Sequence, residues 1–212
     1  MKTLLSILAI IFITASCATQ DGKAGQTENK FDTLPLPLDS MTFYFKTKSN
    51  WKDTTKDALD TFINTWYSKM LFALKEPILK DYYGDKEIYR FTWLRTFHHP
   101  EVIKLITKVS HGVGGYYAGQ LFFDTTVNIT TSQYNLLQQK VNKIGFWNLA
   151  TEKRDEAGKD GSEWIIEVFK GNKYHMVTRW TPDIEQEENF RSVGEYLVSL
   201  SKIRKEETEN FY

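Results

Sequence analysis

The chain has one cysteine in 212 residues. A lone thiol makes no intramolecular disulfide. Charge of one sign is missing too: 27 basic side chains meet 27 acidic ones, for a formal net charge of +0. Nucleic-acid recognition rests on clustered positive charge, so the balance gives that partner no support, and it gives none to a polybasic membrane patch. The apolar run Leu4 to Ile13 falls short of the about 20 residues that a membrane-spanning helix needs. No repeat with a period of roughly 20–50 residues occurs, which excludes a solenoid or propeller array.

Catalytic signatures are equally scarce. There is no Gly-x-Ser-x-Gly elbow, the usual cue for an α/β hydrolase. Gly112, Gly114 and Gly115 fit neither a P-loop nor a dinucleotide fingerprint, and they read as hairpin-turn glycines. Of the four histidines, His98 and His99 are adjacent and would point to opposite faces of a strand. His111 and His175 stand alone, and no His-x₃-His or His-Glu-x-x-His spacing links any of them. No metal and no cofactor is expected on this pattern.

What the chain does have is a leader. Met1 and Lys2 precede the apolar stretch Leu4 to Ile13, and Thr14-Ala15-Ser16-Cys17 follows. About ten apolar residues suit the roughly 7–15 of a signal-peptide core. Small residues before a single cysteine resemble the lipobox of bacterial lipoproteins, with Thr14 where that motif usually carries an aliphatic residue. The resemblance covers residues 1–17 only. It implies that residues 1–16 are removed as a signal peptide, that Cys17 is the lipid attachment site, and that the mature chain sits in the bacterial cell envelope. Ala18 differs from the aspartate associated with inner-membrane retention, so the resemblance favours the outer membrane. The plainer alternative is an ordinary secretory leader cut near Ala15 or Ser16, which would leave Cys17 as a stray thiol.

Ala18 to Lys30 contains no large apolar residue, a composition that cannot bury enough surface to offset its ordering entropy. With the Leu34-Pro35-Leu36-Pro37-Leu38 run, read as a spacer stiffened by proline, residues 17–38 are expected to act as a tether. Residues 39–212 are expected to form a single domain.

Within that domain, Met41–Phe45 is a strand candidate. A helix capped by Thr54 or Thr55 then carries Leu59, Phe62, Ile63, Trp66, Tyr67, Met70, Leu71 and Leu74 on a wide apolar stripe and ends at Pro77. Alternation predicts strands over 87–97, 102–109 and 116–129. Thr130-x-x-Gln133 has capping-box spacing for a second helix. Gly171-Asn172 is a two-residue hairpin signal between strands 162–169 and 173–180. Thr181-Pro182 opens the closing helix, with Phe190, Val193, Leu197, Leu200 and Ile203 on its stripe. The order predicts an α+β fold, an antiparallel sheet of about five to six strands with three helices packed on it.

Three cations are the candidates for a binding cleft. Arg95 shares a strand face with Tyr89, Phe91, Trp93 and Phe97, so on burial it must be paired or line a polar pocket. His175 and Arg179 share a face of the late hairpin, where Arg179 is expected to cover Trp164. Glu163 and Glu167 suggest carboxylate acid/base chemistry, but four residues of strand separate them by roughly 13 Å, beyond the about 5–9.5 Å of paired glycosidase carboxylates. They are read as solvated or sheet-edge residues. The expected function is a membrane-tethered binding or interaction module, its partner an envelope protein or a small ligand. The alternative is an envelope hydrolase that pairs Glu163 or Glu167 with Asp124 or Asp160.

Overall fold

The computed structural model describes residues 33–96, 98, 100–106, 109–114, 121–153, 161–182 and 187–201. The leader with Cys17, the stretch 18–30, Phe97, His99, Gly115, Tyr116, Gly119, the 154–160 part of the polar loop including Asp160, Ile203 and the charged tail lie outside the described residues.

The fold is α+β. Helix α1 (Thr61–Ala73) comes first. Strands β1 (Ile88–Arg95), β2 (Glu101–Leu105), β3 (Val109–Gly114) and β4 (Leu121–Val127) follow. Next come α2 (Thr131–Lys143), a short β5 (Glu152–Lys153), the hairpin β6 (Ser162–Lys170) and β7 (Lys173–Trp180), and α3 (Glu188–Leu200). The seven strands form one sheet in the order β4-β3-β2-β1-β6-β7-β5. Every pairing is antiparallel except β5 with β7. β1 is central, and it meets its neighbour β6 only after β2, β3, β4, α2 and β5 have intervened.

The sheet is covered on both faces. Tyr89, Phe91, Trp93, Trp164, Ile166, Val168 and Val177 pack with Leu137 and Val141 of α2 and Phe190, Val193 and Leu197 of α3. Leu94, Val102, Ile165 and Met176 pack instead with Tyr67 and Leu71 of α1 and with Tyr44 and Phe45. Helix α3 comes close to the sheet at Gly194, where a Cβ would stand 2.7 Å from Cε3 and Cζ3 of the buried Trp164 ring. Only a residue without a side chain fits at that distance.

Several local signals hold. The Thr130 side chain accepts from Gln133 N, and the Gln133 side chain accepts from Thr130 N at 2.8 Å, so the capping box of α2 is complete. Gly171 and Asn172 have φ of 56° and 58°, the left-handed pair of a type I′ turn. Phe169 faces Tyr174, Val168 faces His175 and Trp164 faces Arg179, the register this turn dictates.

Other expectations need correction. Met41–Phe45 is not a strand. It belongs to a strap of turns and bends beside α1, where Ile78 N donates to Pro35 O at 2.7 Å and Tyr44 N to Ser68 Oγ at 3.0 Å. Leu34 also packs against Leu79, Tyr82 and Phe169, so the packed body begins before Asp39. Asp60, not Thr54 or Thr55, caps α1 by accepting from Phe62 N. Asp53 has already engaged Thr55 N and Ser49 N in its own turn. Phe62 is 77% exposed while Asn64 and Ser68 are buried, so the buried line of α1 is rotated from the apolar stripe. Val109, Gly112 and Gly114 lie within β3, with a bulge after Val113, so the Gly112–Gly114 segment is strand and not turn. Glu187 occupies the N-cap position of α3, and Thr181 instead accepts from Ser162 N through its hydroxyl.

The end of α1 aims a carboxylate at the sheet. Lys75 N donates to Phe72 O and Glu76 N to Leu71 O, with Lys75 at φ 56°. This is the Schellman arrangement, with lysine where glycine usually sits. Pro77 then prevents the helix from continuing.

Candidate functional site

The densest polar cluster is a row of charges buried between the sheet and α1. Register places Ser110, Lys104, Arg90, Glu167 and Met176 side by side across five strands. Arg90 is fully buried. Its Nε donates to Glu167 Oε2 at 2.6 Å, Nη2 to Glu167 Oε1 at 2.8 Å, and Nη1 to Pro77 O at 2.7 Å and Glu76 Oε2 at 3.2 Å. Lys104 Nζ donates to the same Glu76 oxygen at 2.7 Å. Tyr174 donates its hydroxyl to Glu167 Oε1 at 2.9 Å, and Tyr44 donates to the Glu76 carbonyl at 2.7 Å. Burial disfavours the Arg90 charge, but Glu167 and Glu76 outweigh it and raise the guanidinium pKa further. Burial, helped by Glu167, pushes the Tyr174 hydroxyl well up. Two cations and two carboxylates, each hydrogen-bonded, make a neutral clamp.

Glu163 and Glu167 are thus buried inside the sheet, which corrects the solvated or edge reading: β6 lies between β1 and β7. Glu163 accepts from the Thr178 hydroxyl beside the buried Tyr67, whose pKa is raised by burial first and then by Glu163. Both glutamates lie on the α1 side, away from His175. Asp124 is level with Ile165 but four strands across, about 19 Å at the usual strand spacing. It does not approach either glutamate.

Arg95, His175 and Arg179 share the α2/α3 side of the sheet but do not converge. Arg95 pairs with Glu101 and stacks 4.3 Å from the centroid of Trp93, so it is paired. Arg179 donates from Nη1 to the Thr178 carbonyl at 2.7 Å and to the Ala150 carbonyl at 3.1 Å, and its Nε lies 3.1 Å from Glu187. Drawn that way, it covers Phe190 at 5.6 Å, and Arg191, not Arg179, lies over Trp164 at 5.5 Å. His175 stands edge-on to Phe146 at 5.2 Å, with Nε2 2.9 Å from Leu149 O. A carbonyl only accepts, so Nε2 carries the proton. Burial pushes the His175 pKa down. The cavity that His175 lines with Lys46, Asp57 and Thr151 is about 20 Å³, room for about one water.

Among the described residues no group of three or more His, Asp, Glu or Cys side chains is placed to hold a metal ion. No protein-family model matches the chain, and a search of the curated proteins finds no match. Sequence reasoning missed Arg90, Glu76, Lys104 and Tyr174. The available signal was an arginine in the middle of an aromatic strand, at the same period as a glutamate in another apolar strand.

Proposed function

We propose that this is a lipid-anchored envelope protein whose body acts as a binding or interaction module and not as an enzyme. The observation that carries the proposal is the apolar leader that ends in small residues at the chain's lone cysteine, Cys17. A diacylated and amino-acylated Cys17 anchors stably, where one acyl chain alone would be marginal. Ala18 favours the outer membrane. The body's chemistry supports binding over turnover, because Glu167, a residue on which a hydrolase would depend, commits both oxygens to Arg90 and one also to Tyr174. Its partner is an envelope protein or a small ligand.

Palmitate labelling of cells expressing the wild type or Cys17→Ala tests the anchor. Label and membrane fractionation are expected for the wild type and lost in the variant. A mature chain that begins elsewhere, with a bare thiol, overturns it. Crosslinking in intact cells tests the partner, and repeated captures without one count against the binding reading.

A further inference from the structure

The two edges of the sheet are finished differently. At one end β5 is two residues long, Glu152–Lys153, and both are charged. Lys48 pairs with Glu152 at 3.7 Å, Lys153 pairs with Glu187 at 3.6 Å, and Thr151 N donates to Lys56 O at 3.1 Å. A short, charged, covered strand is the usual protection against pairing with another chain. At the other end β4 runs for seven residues, Leu121–Val127. Its sequence holds no lysine, arginine or proline, and among the described residues no strand pairs with its outer side. A long edge without these guards is a template for a further strand.

The registers show which backbone groups β4 presents. Thr96 N donates to Gly161 O at 3.0 Å. Antiparallel partners alternate, so the even-numbered residues of β1 bond β6 and the odd-numbered ones bond β2. Carried across the sheet, Val102 and Lys104 bond β3, while the backbones of His111 and Val113 bond β4. Thr125 and Val127 therefore direct their backbone groups at β3, and Asp124 and Thr126 turn theirs outward. The irregularity after Val113 falls toward the Leu121 end. It leaves Phe123 to Val127 as a straight stretch with Thr125 at its centre.

That stretch is complementary to itself. Turned about a twofold axis at Thr125, it sets Asp124 against Thr126 of a second copy, and these two exchange both backbone hydrogen bonds. Thr125 meets Thr125, Phe123 falls opposite Val127, and no like charges share a register position. An axis at Asp124 would instead oppose two aspartates and run into the irregular end. The whole chain has a formal net charge of +0, so two copies do not repel one another at long range.

We infer that β4 is a dimerisation edge: two copies pair it antiparallel about Thr125 and join their seven-stranded sheets into one. This goes beyond the anchor reading and stands without it. The test uses the chain beginning at Cys17 with Cys17→Ser, which has no thiol of its own. Sedimentation equilibrium should show monomer and dimer in exchange. Thr126→Pro removes an outward N–H from each copy and leaves the β3 ladder intact, so it should weaken the dimer on the order of tenfold or more. Far-ultraviolet circular dichroism should stay unchanged. Single cysteines then read the register. Thr125 lies at a non-hydrogen-bonded pair, where Cα atoms stand about 4.5 Å apart, within the roughly 4.4–6.8 Å that a disulfide bridges. In a buffer of reduced and oxidised glutathione, Thr125→Cys should give a covalent dimer. Thr126→Cys, whose counterpart lies diagonally at about 7–8 Å, should not. A chain that stays monomeric overturns the inference, as does a dimer indifferent to Thr126→Pro. A dimer in which Thr126→Cys closes as readily as Thr125→Cys overturns it too, and this pair decides alone if the proline variant misfolds.

Discussion

Glu76 stands between two cations that would otherwise oppose each other directly on neighbouring strands. Arg90 and Lys104 are register partners, and one Glu76 oxygen accepts from both. Like charges so placed are destabilising, so the carboxylate delivered from the end of α1 is what makes the row tolerable. Removing Glu167 leaves a fully buried guanidinium short of its main partner, and Glu167→Ala is expected to cost about 3–5 kcal/mol. Arg90→Met with Glu167→Leu should recover part of that loss, because no buried guanidinium is left without a carboxylate, although the Tyr174 hydroxyl and the Pro77 carbonyl lose their partners. Urea titration of both variants checks this, and a double variant as unstable as the single one would refute it. Of this row only Glu167 was singled out beforehand, without its partners. Alternation correctly assigned the opposing faces of β1 and of β6, but Arg90 and Glu167 are 77 residues apart. Local periodicity does not say which strands become neighbours. Glu163 and Glu167 looked solvated because their strand was judged with its hairpin partner β7 alone, without β1 on the other side.

Elements whose instructions are local were read correctly. The α2 capping box needs only Thr130 and Gln133, and the β6–β7 register needs only the Gly171-Asn172 turn. Elements with competing local instructions were not. Asp53 diverted Thr55 from capping, and Thr181 was recruited to the end of β6. The apolar helix α1 was legible as a helix, but its rotation was not, because Asn64 and Ser68 turn inward to serve the strap. Asn64 Nδ2 donates to Phe45 O at 2.8 Å. The end of α1 offers a direct test. Lys75 adopts φ 56°, a conformation that costs an L-residue roughly 1–2 kcal/mol. Lys75→Gly is expected to raise stability by about 1 kcal/mol once the extra unfolded-state entropy of glycine is subtracted. A higher thermal midpoint is the readout, and a lower one would show that the lysine side chain contributes more than its backbone strain removes.

At the scale of the whole molecule, His175, Glu87 and Asp57 act in one direction. Burial holds His175 below its ordinary 6.5, so the unfolded chain binds the proton more readily. Stability should therefore be full above about pH 6.5 and fall below it, until the folded ring also protonates. Burial pushes Glu87 up, but hydrogen bonds from Tyr134, Lys170 and Gln138 outweigh it and hold the group below 4.5. The Lys46 hydrogen bond likewise lowers Asp57 below 3.8. Their contributions are present above those ordinary values and lost as pH falls through the lower folded ones. Urea midpoints should thus decline in two stages on acidification. His175→Gln should flatten the upper stage alone, and Glu87→Gln should soften the lower.

The strand order also governs timing. The central strand finds one neighbour nearby and the other only after the late hairpin has been made. Closing so long a loop before any reward is slow, as in other topologies of high contact order. A nascent chain lacking its last fifty or so residues has no β6–β7 hairpin or α3 and cannot complete the sheet or cover its α2/α3 face. Its sheet stays incomplete while it is being synthesised, and the central strand gains its second neighbour only when the late hairpin arrives.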